Sequence, residues 1–155
     1  MIIRTDDILA AIEAMPEFRE APVVLCYWSI RDEVPTHGFI SRWSGRKKMV
    51  LPVVEGENLL LREYRPDGMA RGAFGIMEPS SACPPVDPSE IAFAIVPGEL
   101  FDLQGNRKGH GKGYYDRLLP HVHCFKAGIA PAHKIVEHLD PAPWDVPVDV
   151  VVSGN

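Results

Sequence analysis

The sequence predicts a single α/β domain with a central, mostly parallel sheet covered by helices on both faces. Three observations point there. Short runs such as VVLCYW (23–28), IAFAIVP (91–97), FKAGIA (125–130) and VDVVV (148–152) are predominantly apolar rather than alternating, as in strands buried on both faces. Segments with helical spacing lie between them. The 155-residue length suits one domain with one sizeable core, and the 1–155 span shows no internal repeat and no linker composition.

Along the chain, Thr5 is placed to cap a first helix whose opening turn carries Asp6 and Asp7, favourable at the positive helix end. Ile8, Leu9, Ile12 and Met15 share one face of it, and Pro16 ends it. After the strand at 23–28, a helix is expected over 36–43, then strands over 48–54 and 58–64 with Glu55-Gly56 at the turn. EPSSACPPVDPS (78–89) holds four prolines and reads as a stiff loop. The strand at 91–97 leads into a glycine-rich stretch, a helix from Tyr114 to Leu119 closed by Pro120, the strand at 125–130, a helix over 132–139 and the strand at 148–152.

Composition limits the function classes. No run of about 18 apolar residues is present, and the opening MIIRTDDILAAIEAM carries acids where a secretion signal needs an unbroken apolar stretch. Three widely spaced cysteines give no disulfide framework and suit a reducing, cytoplasmic setting. A formal net charge of -5 speaks against a nucleic-acid binder, and nothing indicates a membrane partner. Without a heptad or an exposed apolar stripe, a monomer acting on a small molecule is expected.

The chemistry concentrates in GNRKGHGKGYYDR (105–117), where four glycines and four basic side chains follow a buried strand and precede a helix. Such a loop offers backbone N–H groups to an anion, with positive potential added by the helix start. Arg107, Lys108 and Lys112 would neutralise phosphate charge, and Asp116 is placed for a Mg²⁺ that bridges phosphates. It is neither a P-loop, lacking GK[ST], nor a dinucleotide fingerprint. A solvated turn with glycines for geometry is the competing reading. Read alone, Glu33 is a plain surface acid, Trp28 a core residue ending an apolar strand, and Asp149 an ordinary strand-end carboxylate. HVHC (121–124) lacks the second ligand pair a zinc site needs.

VPGELFDLQGNRKGHGKGYYDRLL (96–119) resembles the hallmark segment of the 5-formyltetrahydrofolate cyclo-ligase (5,10-methenyltetrahydrofolate synthetase) family, P-G-x-x-F-D-x-x-G-x-R-L-G-x-G-x-G-Y-Y-D, with Lys108 at the usual Leu. YWSIRDEVPT (27–36), VLPVV (50–54), GIMEP (75–79) and DVPVDVVV (145–152) are similar to further family segments in the same order, so the resemblance spans nearly the whole chain. It implies an enzyme that uses MgATP to turn 5-formyltetrahydrofolate into 5,10-methenyltetrahydrofolate. Arg107, Lys112 and Tyr114 would be catalytic. Arg107, Gly109, His110, Gly111, Lys112, Gly113, Tyr114 and Tyr115 would meet ATP. Trp28, Glu33 and the His110–Tyr114 stretch would border the reduced folate, and Asp116 and Asp145 would hold Mg²⁺. The family opens with a basic K-x-x-x-R helix, whereas here only Arg4 precedes the first helix, so that element is expected to be lacking. A non-catalytic folate- or nucleotide-binding relative is the alternative.

Overall fold

A computed structural model describes residues 1–155. Seven strands form the main sheet: β1 (Ile2–Thr5), β2 (Val23–Leu25), β3 (Lys48–Glu55), β4 (Asn58–Glu63), β7 (Phe93–Val96), β10 (Phe125–Ala130) and β12 (Val150–Gly154), in the order β1-β12-β10-β7-β2-β3-β4. All pairings are parallel except the β3–β4 hairpin. The shorter strands β5 (Met69–Arg71) and β6 (Met77–Pro79) pair as a hairpin, and β8 (Leu100–Asp102), β9 (Arg107–Lys108) and β11 (Ile135–Val136) form a small sheet in the order β11-β8-β9.

Successive residues of the central strands face opposite ways, and the core divides accordingly. Val24, Met49, Leu51, Phe93 and Ile95 belong to one apolar cluster, while Leu25, Val50, Ala94 and Val96 belong to the other. The first cluster takes its cover from α1 (Ile8–Glu13), α2 (Pro16–Glu20) and α3 (His37–Trp43), through Ile12, Phe18, Phe39 and Ile40. Phe18 meets Phe39, Trp43 and Phe93 with ring centroids 5.0–5.6 Å apart. The second cluster receives Leu118 from α4 (Tyr114–Leu118) and Leu119 from the 3₁₀ turn that follows, together with Val122, Val86 and Val148 from irregular segments. The helical cover is therefore thinner than expected: the longest of the four α-helices has seven residues.

Local chemistry explains where the elements differ from expectation. Asp7, not Thr5, caps α1, accepting from the Ala10 N–H at 3.1 Å; Thr5 belongs to β1, an edge strand too short to stand out in the sequence. Pro16 also opens α2, at a position where its missing N–H is not needed. The helix expected over 132–139 does not form. Ala132–Lys134 make a single 3₁₀ turn, Ile135 and Val136 join β8 as β11, and the Leu139 N–H donates to Asp102 instead of to a helical carbonyl.

The strand order sets where a ligand belongs. From β2 the chain moves outward to β3, and from β7 it moves the other way through β10 to β12. The switch point lies between the carboxyl ends of β2 and β7, the position where open α/β sheets carry their ligands. Tyr27 and Trp28 follow β2 there, and Pro97 follows β7.

Candidate functional site

A cleft of about 360 Å³ opens at this switch point. Its lining combines two kinds of surface. Ile30, Pro52, Val54, Leu59, Ile76 and Met77 supply apolar surface, with the aromatic rings of Tyr27 and Trp28. Arg107, His110 and Lys112 supply cationic groups, beside Glu33 and Asp116.

The loop after β2 is tied into a compact knot that presents Trp28. The Glu33 carboxylate accepts from the Ile30 N–H at 2.9 Å. Buried Thr36 donates its hydroxyl to the Tyr27 carbonyl at 2.6 Å and accepts from the Ser29 N–H at 3.1 Å. His37 stacks on Trp28 with 3.7 Å between ring centroids and donates from Nε2 to the Ser29 carbonyl at 2.8 Å. The E-V-x-T pattern thus supplies a loop brace through Glu33 and Thr36 as well as a carboxylate in the cleft. Burial pushes the Glu33 carboxyl above its ordinary range, while the Ile30 N–H, His110 and Lys134 pull it back.

Asp102 organises the opposite wall. It is fully buried, and its two oxygens accept from the N–H groups of Gln104, Asn106 and Leu139 and from the Asn106 side-chain amide, at 2.8–2.9 Å. Burial alone would raise its pKa; the four donors outweigh this and hold the carboxyl below its ordinary range. The tight 102–106 turn needs glycine at its tip. Gly105 has φ 87°, and a Cβ there would lie 2.4 Å from the Val148 carbonyl oxygen. This turn delivers Arg107 into β9. Its Nε donates to the Pro97 carbonyl at 2.7 Å, Nη1 donates to Asp116 at 3.3 Å, and the guanidinium lies 5.1 Å from the Tyr115 ring centroid. Burial lowers the Arg107 pKa while Tyr115 and Asp116 oppose this; arginine remains the charged form.

The glycine-rich stretch then turns into α4 through Gly113, which takes φ 73° at the helix start. Tyr114 and Arg117 pin that start to the β3–β4 turn, the Tyr114 hydroxyl donating to the Gly56 carbonyl at 3.4 Å and the Arg117 Nε to the Glu57 carbonyl at 2.8 Å. Burial pushes the Tyr115 phenol up, against the pull of Arg107.

Most of the residues singled out in the sequence therefore meet in one place. Trp28, Glu33, Arg107, Gly109, His110, Lys112, Gly113, Tyr114, Tyr115 and Asp116 all line the cleft. Gly111, with φ 95°, lies in the same loop but outside the lining. Asp145 also lies outside it, in a turn where its Oδ2 accepts from the Ala142 N–H at 2.8 Å, yet near enough to Arg107 to act on its charge. Asp149 takes the structural part, accepting from the Lys126 N–H at 2.8 Å. No three metal-ligating side chains cluster anywhere in the chain. Asp116 is the carboxylate in contact with Arg107, at 3.3 Å, and one or two carboxylates of this kind suit an ion sharing its shell with phosphate oxygens and water rather than one caged by protein.

The apolar wall went unread in the sequence, apart from the VLPVV and GIMEP resemblances. Pro52 sits in β3 beyond the last β2 partner, Val50, where a missing N–H does no harm. Glu78, also in the lining, accepts from the Val54 N–H at 3.2 Å and so joins the β5–β6 hairpin to β3.

An open, mostly parallel α/β sheet whose switch point carries one cleft lined by apolar side chains and by a glycine-rich cationic loop defines the α/β enzyme class to which the chain is similar. A family model described as the 5-formyltetrahydrofolate cyclo-ligase family matches residues 3–154, and the chain belongs to that family. The 5-formyltetrahydrofolate cyclo-ligase of Haemophilus influenzae is 36% identical over 147 residues, covering 89% of this chain and 79% of that protein. The solved structure of Aquifex aeolicus 5,10-methenyltetrahydrofolate synthetase is similar with a TM-score of 0.85 and 39% identity, over 94% of this chain and 75% of that one. A 5,10-methenyltetrahydrofolate synthetase from Mycoplasma pneumoniae shares the fold at a TM-score of 0.71 and 21% identity, over 92% of this chain and 79% of its own.

Proposed function

We propose that this protein converts 5-formyltetrahydrofolate to 5,10-methenyltetrahydrofolate at the expense of MgATP, releasing ADP and phosphate. The observation that carries this reading is the pairing of an aromatic, apolar slot with a buried arginine and a free lysine across one cleft. In it, Trp28 and the Ile76–Met77 wall hold the flat pterin, and the Glu33 carboxylate accepts from its N–H edge. Arg107, held by Pro97 and Asp116, and the 109–113 backbone bind the ATP phosphates. Asp116 and Asp145 would hold Mg²⁺, which when bound neutralises phosphate charge.

Lys112 stabilises the γ-phosphoryl group as it passes to the formyl oxygen, with ADP leaving. The folate's own amine at position 10 then attacks the activated formyl carbon, and the C–O bond breaks to release phosphate. Tyr114 borders both ligands at the loop's end. The chain supplies position and charge, not a covalent nucleophile, as is usual for phosphoryl transfer.

Mixing the protein with 5-formyltetrahydrofolate and MgATP and following the methenyl product's absorbance tests the reading. Product formation that requires both ATP and Mg²⁺ is expected. Folate binding without product would instead mark a non-catalytic binding protein, and neither binding nor product would refute both.

A further inference from the structure

Phe74 adopts a backbone conformation that suits glycine. Its φ is 60° and ψ 15°, and the only other non-glycine residue with positive φ is Asp32, whose short polar side chain tolerates it. Burial does not compensate, because Phe74 is 66% exposed. The surrounding loop is nonetheless firmly held: the Gly72 N–H donates to the Ile76 carbonyl at 2.8 Å, and Arg71 Nη1 donates to the Gly75 carbonyl at 3.0 Å. A strained, exposed aromatic on a braced loop at the rim of a ligand cleft points to function rather than stability. What the ring meets is Lys112, whose Nζ lies 5.6 Å from its centroid, within cation–π range. None of the chain's ion pairs includes Lys112.

We infer that Phe74 is a positioning residue: its ring holds the Lys112 ammonium at the mouth of the cleft, beside the apolar wall that starts at Ile76. Without the ring, a four-carbon stem with free rotors would leave that ammonium to wander in solvent. A carboxylate partner would fix it as well, but would cancel the charge an incoming phosphoryl group needs. The aromatic face holds the cation and leaves its charge available. This inference rests on the reading that Lys112 meets the transferred phosphoryl group.

Three substitutions and two readouts test it. In Phe74→Leu, kcat should fall about 2- to 5-fold, the range of an exposed cation–π contact, with KM for the folate within about twofold. Phe74→Tyr should restore kcat. Phe74→Gly should melt at or above the wild-type temperature, since glycine takes this backbone without strain, while losing kcat like the leucine variant. In ligand-free protein, NMR should find the Lys112 ε-methylene protons shifted upfield by the ring in the wild type and Phe74→Tyr, and unshifted in Phe74→Leu. Absence of that shift in the wild type, unchanged kcat in Phe74→Leu, or a lowered melting temperature in Phe74→Gly each overturns the inference. Wild-type protein that shows the shift but forms no methenyl product refutes the proposed activity and leaves the contact established.

Discussion

Replacing Asp102 with asparagine keeps the side chain's shape and removes one acceptor. In the wild type each carboxylate oxygen accepts two bonds, one from Gln104 N–H and Asn106 N–H, the other from the Asn106 amide and Leu139 N–H. An asparagine places an NH₂ group against one of these pairs, so donor faces donor. The Asn106 amide can turn its own oxygen inward, but the Leu139 N–H has no such freedom. One orphaned buried N–H costs about 1–3 kcal/mol, and the remaining bonds lose charge assistance, giving about 3 kcal/mol in total. For a domain of this size that is a fall of about 6–12 °C in melting temperature. The pH dependence follows from the lowered Asp102 pKa. The carboxylate's contribution is complete above the unfolded carboxyl value, about 3.9, and is lost as pH falls through the lower folded value. Urea unfolding of both proteins at neutral pH and across the acid range should therefore show a stability gap that narrows on acidification. A gap below about 1 kcal/mol at neutral pH, or one that stays constant into the acid range, would refute this account of the turn.

Further substitutions probe other parts of the site. Asp116→Asn should raise the Mg²⁺ concentration needed for turnover by about tenfold or more, while its half-exposed side chain leaves the unfolding midpoint nearly unchanged. Gly105→Ala should destabilise by about 2–4 kcal/mol in chemical denaturation, because φ 87° and a Cβ 2.4 Å from the Val148 oxygen both oppose it. Burial raises the Cys26 thiol to about 12 and that of Cys124 to about 11, so a thiol reagent at about pH 8 should leave Cys26 unlabelled in native protein and modify all three cysteines once it is unfolded.

The cationic half of the cleft was legible in the sequence because its residues are neighbours in the chain: the loop from Gly105 to Arg117 carries glycines, cations and helix start together. The central strands were legible because burial on both faces leaves an unbroken apolar run. The apolar half was harder, since Pro52, Val54, Leu59, Ile76 and Met77 come from three separate strands or their approaches and look like ordinary core residues one at a time. Phe74 gave no signal at all: its meaning lies in a backbone angle and in Lys112, 38 positions away. The helix expected over 132–139 from its place between two strands yields to Asp102, whose claim on the Leu139 N–H is a long-range contact. Asp102 itself, inside a recognisable F-D pattern, became a brace for the loop only when its four donors were seen.

The pairing of β1 with β12 carries a consequence for how the molecule is made. Ile2 lies beside Val151, so this edge closes a loop of roughly 150 residues, and its entropic cost must be met before the contact gives anything back. The strands on either side of the cleft, β2, β3 and β7, need no such closure among themselves and are free to assemble earlier. Until β12 arrives, β1, with Ile2 and Ile3, lacks its strand partner and is open to pairing with another chain. Aggregation during refolding should therefore begin at this edge, several strands from the cleft, and the exposed Arg4 of β1 is the one charge that guards it.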